Sequence, residues 1–175
     1  MKVAVTGTPG TGKTTATERL EDHPAEYDVD LAVVHLNEVI REEGLTAGHD
    51  EDRDSAVADL DAVREWLGDR DDVIVESHLA HHLDADRVVV LRCAPAEIER
   101  RLHERGESEA SARENAESEA LDVILAEAVD RHGRASVYEI DVTDLTPEAV
   151  ATEIAAVVAG ERDPSAGEVS FVEYL

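Results

Sequence analysis

Short runs of apolar residues alternate along the chain with longer stretches in which apolar residues recur at helical spacing. The runs are rich in Val and Ile, as in strands that are buried on both faces, and they are Lys2–Thr6, Leu31–Leu36, Val73–Glu76, Arg87–Cys93 and Ser136–Val142. The stretches between them predict helices over Lys13–Leu20, Asn37–Glu43, Val57–Leu67, Pro95–Arg105, Ala112–Arg131 and Pro147–Val158. This alternation predicts an α/β fold with one doubly wound, parallel five-stranded sheet flanked by helices.

Two polar stretches interrupt the pattern, and they predict mobile flaps because they are too polar for a core. The first is Gly44–Ser55 and the second is Glu104–Asn115. The tail Glu161–Leu175 ends in an apolar run, Val169–Leu175, that we expect to dock on the core or on another chain. Since no repeat or internal linker is visible, the sequence predicts a single domain over residues 1–175.

The charge of the chain is strongly acidic. Its 175 residues include 42 Asp and Glu against 16 Lys and Arg, for a formal net charge of −26, and Lys2 and Lys13 are its only lysines. Acidic residues occur in every segment, which fits either a basic partner or a surface that stays hydrated in concentrated salt. The even spread favours the second interpretation, since concentrated salt screens most of the self-repulsion. The composition therefore indicates a halophilic, archaeal source.

Composition also excludes several classes of protein. With 42% hydrophobic residues the chain is too apolar for a disordered acidic tail, and its one cysteine excludes a disulfide framework and a multi-cysteine zinc site. No apolar run approaches the roughly 20 residues needed to cross a bilayer. We therefore expect a cytoplasmic protein that does not associate with membranes.

The strongest motif is Gly-Thr-Pro-Gly-Thr-Gly-Lys-Thr-Thr at residues 7–15, a complete match to the P-loop pattern G-x-x-x-x-G-K-[ST]. A predicted strand precedes it and a predicted helix follows it, as a P-loop requires. Its glycines let consecutive N–H groups face phosphate oxygens, and the helix N-terminus attracts the same anion. We expect Lys13 to bridge the β- and γ-phosphates and the Thr14 hydroxyl to bind Mg²⁺. The motif predicts a nucleotide-binding P-loop NTPase fold.

A P-loop also needs a carboxylate at the end of a neighbouring strand, to hold the magnesium ion and its waters. Glu76 ends a predicted strand and is the candidate, with His78 as a polar neighbour that faces the phosphates. The alternative for Glu76 is a solvated strand end. His78, His81 and His82 resemble a metal cluster in spacing, but the pattern alone does not establish one, and we expect no transition metal there.

The two polar stretches lie where small-molecule kinases of this length carry an acceptor flap and a basic lid. The second contains Arg105 and follows closely after Arg101, and mobile arginines that close over phosphates would neutralise the charge of phosphoryl transfer. On the acceptor side, the candidates are Glu38 and Arg41 on the predicted helix Asn37–Glu43, with Arg41 pairing with a monophosphate. For each arginine, the alternative is a solvated surface position.

Several segments together resemble one known family. In their order and spacing they are similar to the adenylate kinase isoenzyme 6 (CINAP-type) family over about residues 1 to 160, and they are 7–15, 41–45, 48–52, 73–78, 101–106 and 114–115. Many kinases share the P-loop, so the flap and the Arg-Gly of the lid make the match specific.

The resemblance implies a broad-specificity nucleoside monophosphate kinase with adenylate kinase activity, which uses ATP and Mg²⁺ to phosphorylate AMP or another monophosphate. It also implies ATPase activity and a role in late small ribosomal subunit (16S rRNA) maturation. The implied partners are a small-subunit ribosomal protein and the immature subunit, without sequence-specific nucleic-acid binding.

The resemblance also assigns site residues by position. The implied flap is about 34–57 and the implied lid about 104–114. The residues implied to contact ATP are Gly10, Gly12, Lys13, Thr14, Thr15 and Arg105. The candidate catalytic residues are Lys13, Glu76, His78 and Arg105, and the candidate metal ligands are Thr14 and Glu76.

The chain departs from the family's pattern at several positions. Glu76 stands where Asp is usual, so its carboxylate is one methylene further from the backbone. Glu107 replaces a common Tyr, and Ala110 and Ser111 replace lysines, which leaves Arg105 and Arg113 with more of the lid's positive charge. Three functions stay open: a monophosphate kinase, an assembly factor switched by ATP hydrolysis, and a kinase for another small acceptor such as a sugar or a shikimate-like acid.

Overall fold

The computed structural model describes residues 1–52 and 55–175. Seven strands occur in these residues, and in chain order they are β1 (Lys2–Gly7), β2 (Ala32–His35), β3 (Thr46–Asp50), β4 (Ser55–Ala58), β5 (Val73–Glu76), β6 (Arg87–Arg92) and β7 (Val137–Asp141). Five of them form one sheet in the order β2-β5-β1-β6-β7, and every pairing in it is parallel. The predicted α/β fold with a five-stranded parallel sheet is confirmed.

Helices cover both faces of this sheet. In chain order they are α1 (Lys13–Asp22), α2 (Pro24–Tyr27), α3 (Leu36–Glu43), α4 (Leu60–Leu67), α5 (Pro95–Glu104), α6 (Glu109–Ala120), α7 (Val123–His132) and α8 (Pro147–Ala159). Alternate residues of β1 join opposite hydrophobic clusters, since Val3 and Val5 pack in one cluster and Ala4 in the other. In the described residues, no helix combines the length and the apolar character that a membrane crossing requires.

The register of the sheet brings the chemistry-bearing segments to one edge. Val5 of β1 pairs with Glu76 of β5, and His35 of β2 pairs with the same Glu76. Parallel strands end at the same edge, so the loop that follows β1 lies next to the last residues of β2 and β5. Ligands of open α/β sheets bind at this carboxyl edge.

The first polar stretch forms a β-hairpin, which the sequence did not predict. Strands β3 and β4 pair antiparallel, and β4 includes Val57, which the periodicity had assigned to a helix. That helix, α4, begins at Leu60 instead, because the Asp59 carboxylate accepts hydrogen bonds from the N–H groups of Asp61 and Ala62 at 3.1 and 3.0 Å. Part of the predicted flap, residues 53 and 54, lies outside the described residues.

The second polar stretch, which the sequence predicts to be a mobile flap, is mostly helical. Between α5 and α6 only residues 105–108 are non-helical, and the Ser108 hydroxyl caps α6 by accepting from the N–H of Ser111 at 3.1 Å. Ala112, Ala116 and Ala120 of α6 are fully buried. Small side chains four residues apart allow α6 to pack closely against α5 although the segment is polar.

The predicted helix Ala112–Arg131 is divided in two. Asp122 lies between α6 and α7 with φ of 56°, in the left-handed region. Its carboxylate accepts a hydrogen bond from Arg92 Nη2 at 2.5 Å, and this long-range contact favours a conformation that the local sequence does not predict.

The C-terminal tail packs on its own chain. One carboxylate oxygen of Glu139 accepts hydrogen bonds from the backbone N–H groups of Gly167, Glu168 and Val169 at 2.9, 2.8 and 3.1 Å. The Tyr174 hydroxyl donates to Glu99 of α5 at 2.8 Å. The tail therefore contacts the body of its own chain, one of the two docking surfaces expected from the sequence.

Candidate nucleotide-binding site

The loop between β1 and α1 has the conformation of a phosphate-binding loop. Gly7 has φ of 147°, and a Cβ there would lie 2.6 Å from the carbonyl oxygen of Leu91, so no other residue fits. The Thr8 carbonyl accepts hydrogen bonds from Thr11 N at 3.2 Å, Thr11 Oγ1 at 2.9 Å and Lys13 Nζ at 3.1 Å. These bonds fold the loop over the N-terminus of α1, where free N–H groups and the helix dipole favour an anion.

Lys13 is the buried cation of this loop. The residue is 7% exposed, and burial lowers the pKa of its ammonium to about 8, with a further lowering by the positive charge of Arg105. The negative charges of Glu76 and Glu119 act in the opposite direction. Its ammonium contacts a neutral carbonyl oxygen, so a phosphate in the loop would give this charge a stronger partner.

Glu76 is buried and hydrogen-bonded at both oxygens, so it is not a solvated strand end. The residue is 3% exposed; Thr14 Oγ1 donates to Oε1 at 2.9 Å, and His35 Nδ1 lies 2.9 Å from Oε2. A hydroxyl and a carboxylate beside the loop are the hard oxygen donors that Mg²⁺ prefers, so the residues present fit this ion. Sequence reasoning missed His35, although it also ends a strand.

His35 carries a positive charge at neutral pH. Its hydrogen bond to Glu76 and a second one to Glu21, with 3.2 Å between Nε2 and Oε2, raise its pKa from 6.5 to about 9. The positive charge of His35 therefore lies beside the carboxylate that would face a metal ion, and its hydrogen bond orients that carboxylate.

We expect His35 to titrate near pH 9. Because its folded pKa lies above 6.5, the pairing stabilises the fold fully below about pH 6.5 and the stabilisation disappears as the pH rises through about 9. Imidazole NMR titration and pH-dependent unfolding of wild type and His35→Gln measure this, with the exposed His23→Gln as control. If the His35→Gln variant and wild type lose stability in parallel between these pH values, the assignment is wrong.

The three histidines after β5 have two different environments. His78 is neutral, because burial and the nearby charge of Lys13 lower its pKa to about 4. His81 shares hydrogen bonds of 2.9 Å with Thr6 Oγ1 and with Glu127 Oε2, one at each ring nitrogen. The rings of His81 and His82 are 4.1 Å apart and tilted by 39°, and the ligand atoms of His81, His82 and Glu127 lie within 4.8 Å of one another. Hydrogen bonds on both nitrogens already account for the buried His81 ring.

One cleft, here called the loop cleft, opens between the P-loop and the N-terminal part of α8. Its polar wall contains Gly10, Thr11, Gly12, Thr15, Arg101 and Arg105. Its apolar wall contains Val142, Leu145, Pro147 and Val150. Arg101 Nη1 donates to the Gly10 carbonyl at 3.2 Å while its Nε donates to Glu97 at 2.8 Å, so this arginine already holds the loop.

A second cleft, here called the hairpin cleft, lies between α3, the β3–β4 hairpin and the residues after β5. Its lining consists of Asn37, Ile40, Arg41, Gly44, Thr46, Ala56, Ala58, His78 and Leu79. Arg41 and His78 both line this cleft, a combination that the sequence analysis did not predict. Glu38, the other acceptor candidate, is exposed on α3 and is not part of this lining.

Comparison with known proteins identifies relatives along the whole chain. The family model described as "AAA domain" matches residues 3–122. A protein of Natronomonas pharaonis named "Putative adenylate kinase" is 63% identical over 175 residues, covering 100% of both chains. Proteins of the same name in Halobacterium salinarum and Methanosarcina acetivorans are 57% and 42% identical, covering 100% and 90% of this chain and 100% and 86% of their own.

Solved structures show the same fold at low sequence identity. A deoxyadenosine kinase from M. mycoides with bound dATP has a TM-score of 0.54 at 14% identity, and covers 91% of this chain and 100% of its own. A shikimate kinase from Bacteroides thetaiotaomicron has a TM-score of 0.54 at 12% identity, with 91% and 98% covered. These likenesses establish a P-loop kinase fold and nothing about the substrate, and the narrower isoenzyme 6 resemblance stays a prediction. By its domain match and its archaeal relatives, the chain belongs to the AAA domain family and to the group of archaeal proteins named "Putative adenylate kinase".

Proposed function

We propose that the protein is a nucleoside monophosphate kinase with adenylate kinase activity, which transfers the γ-phosphoryl group of ATP to AMP or another monophosphate. The observation that carries this proposal is a pair of clefts at the carboxyl edge of the sheet, one lined by the P-loop and the other by Arg41 and His78. Arg105 of the loop cleft lowers the pKa of Lys13, and Lys13 in turn lowers the pKa of His78 in the hairpin cleft. One buried cation thus interacts electrostatically with a residue of each cleft.

The loop cleft suits the donor nucleotide. Its apolar wall offers a surface for the base, and the loop N–H groups and Lys13 offer donors to the phosphates. Arg101 and Arg105 line the same cleft and add positive charge where the phosphates would lie. In a chain with a net charge of −26, such a local concentration of cations is what permits an anionic ligand to bind.

Thr14 and Glu76 would hold the magnesium ion, Glu76 directly or through a water. When bound, Mg²⁺ neutralises charge on the phosphates during transfer. The protein's contribution is orientation, since Thr14 fixes one oxygen of Glu76 and His35 the other.

The hairpin cleft suits the acceptor. Arg41 can form a charge-assisted pair with a monophosphate, and the neutral His78 can hydrogen-bond an acceptor without adding a second charge beside Lys13. An acceptor phosphate is already ionised at neutral pH, so the site needs no strong base. Positioning and charge neutralisation supply the catalysis.

A coupled assay in molar KCl tests the proposal directly. ATP with AMP should give two ADP, and CMP, GMP and UMP report the breadth of the acceptor site. Parallel reactions contain ATP alone, ATP with gluconate and ATP with shikimate. Phosphorylation of one of these acids together with no conversion of AMP would overturn the proposal.

ATP hydrolysis and a role in small-subunit maturation are the finer implications of the isoenzyme 6 resemblance. In the described part of the chain, no arrangement selects hydrolysis over transfer. The reaction with ATP alone measures hydrolysis, and co-purification with small-subunit particles tests the ribosomal partner.

Arg41→Ala is expected to raise the KM for AMP about tenfold or more while the KM for ATP stays within about twofold, because a hydrogen bond to a charged group is worth about 1.5–3 kcal/mol. Steady-state kinetics with each substrate varied in turn measures the difference. Glu42→Gln, an exposed residue on the same helix, is the matched control. Equal changes in both KM values would remove Arg41 from the acceptor site.

We also propose that the acidic surface adapts the protein to concentrated salt, in line with the haloarchaeal origin of its relatives. Raising KCl from 0.1 to 3 M should increase the Tm by at least about 10 °C, since each kcal/mol shifts the Tm of a chain of this size by about 2–4 °C. Calorimetry measures the Tm, with sucrose as an uncharged control. If sucrose matches KCl, screening of the net charge is not the cause.

A further inference from the structure

A buried carboxylate accepts a hydrogen bond from the phosphate-binding loop. Glu119, near the C-terminal end of α6, is 3% exposed, and its Oε2 accepts a hydrogen bond of 2.6 Å from the Thr8 hydroxyl. Thr8 is itself 2% exposed, and the two residues are separated by 111 positions in the chain. The distance is typical of a strong, charge-assisted bond between a hydroxyl and an ionised carboxylate.

The other oxygen of Glu119 is also fixed. Its Oε1 accepts from Arg92 Nε at 2.7 Å and from the backbone N–H of Cys93 at 3.1 Å, and Arg92 Nη2 donates to the Glu119 carbonyl at 3.2 Å. Arg92 in turn pairs with Glu139, the carboxylate that holds the C-terminal tail. Glu119 is therefore part of a buried network of hydrogen bonds and ion pairs, here called the framework, which includes residues of β6, β7 and the tail.

Thr8 connects Glu119 to the part of the loop that contains Lys13. Its carbonyl oxygen is the acceptor for Thr11 and for Lys13 Nζ, so the orientation of its peptide unit determines where the ammonium lies. The next residue is Pro9, whose ring restricts the backbone and leaves few alternative paths for the loop. The P-loop pattern does not specify position 8, so the motif itself does not call for this contact.

From this geometry we infer that Glu119 is a positioning residue for ATP binding, acting through the Thr8 hydroxyl to hold the loop and Lys13 in the conformation that receives the donor phosphates. The inference deepens the proposed function and rests on its assignment of ATP to this loop.

Thr8→Val tests the inference, because it removes the hydroxyl and keeps the shape of the side chain. We expect the Kd for ATP to rise about tenfold or more, the usual effect of losing a hydrogen bond to a charged group, with an unchanged KM for AMP. Thr8→Ser, which restores the hydroxyl, should bind ATP within about twofold of wild type. Thr8→Ala is a second way to remove the hydroxyl if the valine variant does not fold.

Ser165→Ala is the matched control for loss of structure alone. Ser165 hydrogen-bonds the backbone of Glu139 at the far end of the same framework, at 3.0 and 3.1 Å, away from the loop. The Ser165→Ala substitution should lower the Tm without changing the Kd for ATP. Failure of serine to restore binding, or equal changes in the Kd for Thr8→Val and Ser165→Ala, would overturn the inference.

Calorimetric titration with ATP separates this inference from the proposed function. If wild type binds ATP but phosphorylates no monophosphate, the proposed function fails while the difference between Thr8→Val and Thr8→Ser still decides the role of Glu119. If wild type binds no ATP, both fail.

Discussion

Lys13→Ala is expected to abolish transfer from ATP to AMP, with kcat/KM reduced at least about a thousandfold, the loss typical of removing a cation or donor that stabilises a transferring phosphoryl group. Lys13 is the buried cation of the loop; it is the first residue of α1, and its ammonium donates to the Thr8 carbonyl at 3.1 Å. The coupled assay with ATP and AMP at pH 7 measures the loss.

The chain supplies its own control for this variant. Lys2, its other lysine, lies at the start of β1, and Lys2→Ala should leave kcat/KM unchanged within about twofold. Lys13→Arg keeps the positive charge but replaces a compact ammonium with a broad planar group, so it should restore little activity. Activity of Lys13→Ala within tenfold of wild type would show that transfer does not depend on this loop.

The pH dependence of ATP binding follows from the same residue. The pKa of Lys13 is lowered to about 8 in the free protein, so its charged form is present below this pH and is lost as the pH rises through it. ATP affinity should therefore fall above about pH 8. Lys13→Arg should remove this fall, because arginine stays protonated.

The P-loop and the parallel sheet could be predicted because both depend on patterns of residues that are close together in the sequence. The glycines at 7, 10 and 12 lie where the loop has positive φ, and the apolar runs each form one strand. Glu76 could be selected because it ends such a run. These features need no knowledge of which distant segments meet.

The features that the sequence did not reveal depend on contacts between distant segments. His35 reaches Glu76 because β2 pairs with β5, and Thr8 reaches Glu119 across 111 positions. Asp122 adopts a left-handed conformation beside Arg92, which lies 30 positions away. The hairpin was missed because β3 and β4 are exposed and short, and so lack the apolar alternation that identifies a strand.

Glu76→Gln is expected to lower kcat/KM about 10² to 10³ fold and to raise the Mg²⁺ concentration for half-maximal activity about 10 to 100 fold. The substitution keeps an oxygen that can accept from Thr14 but removes the charge that would attract the ion and that raises the pKa of His35. A titration of activity with Mg²⁺ at fixed ATP measures both effects.

Two further variants are controls for this prediction. Glu76→Asp retains a carboxylate, at the length usual in the family that the motifs resemble. It should keep activity within about tenfold of wild type, because the shortened carboxylate can still reach the ion through a water. Glu21→Gln removes the other partner of His35 at an exposed position and should leave the Mg²⁺ dependence unchanged. If Glu76→Gln and wild type respond identically to Mg²⁺, then Glu76 orders the loop through Thr14 and does not hold the metal ion.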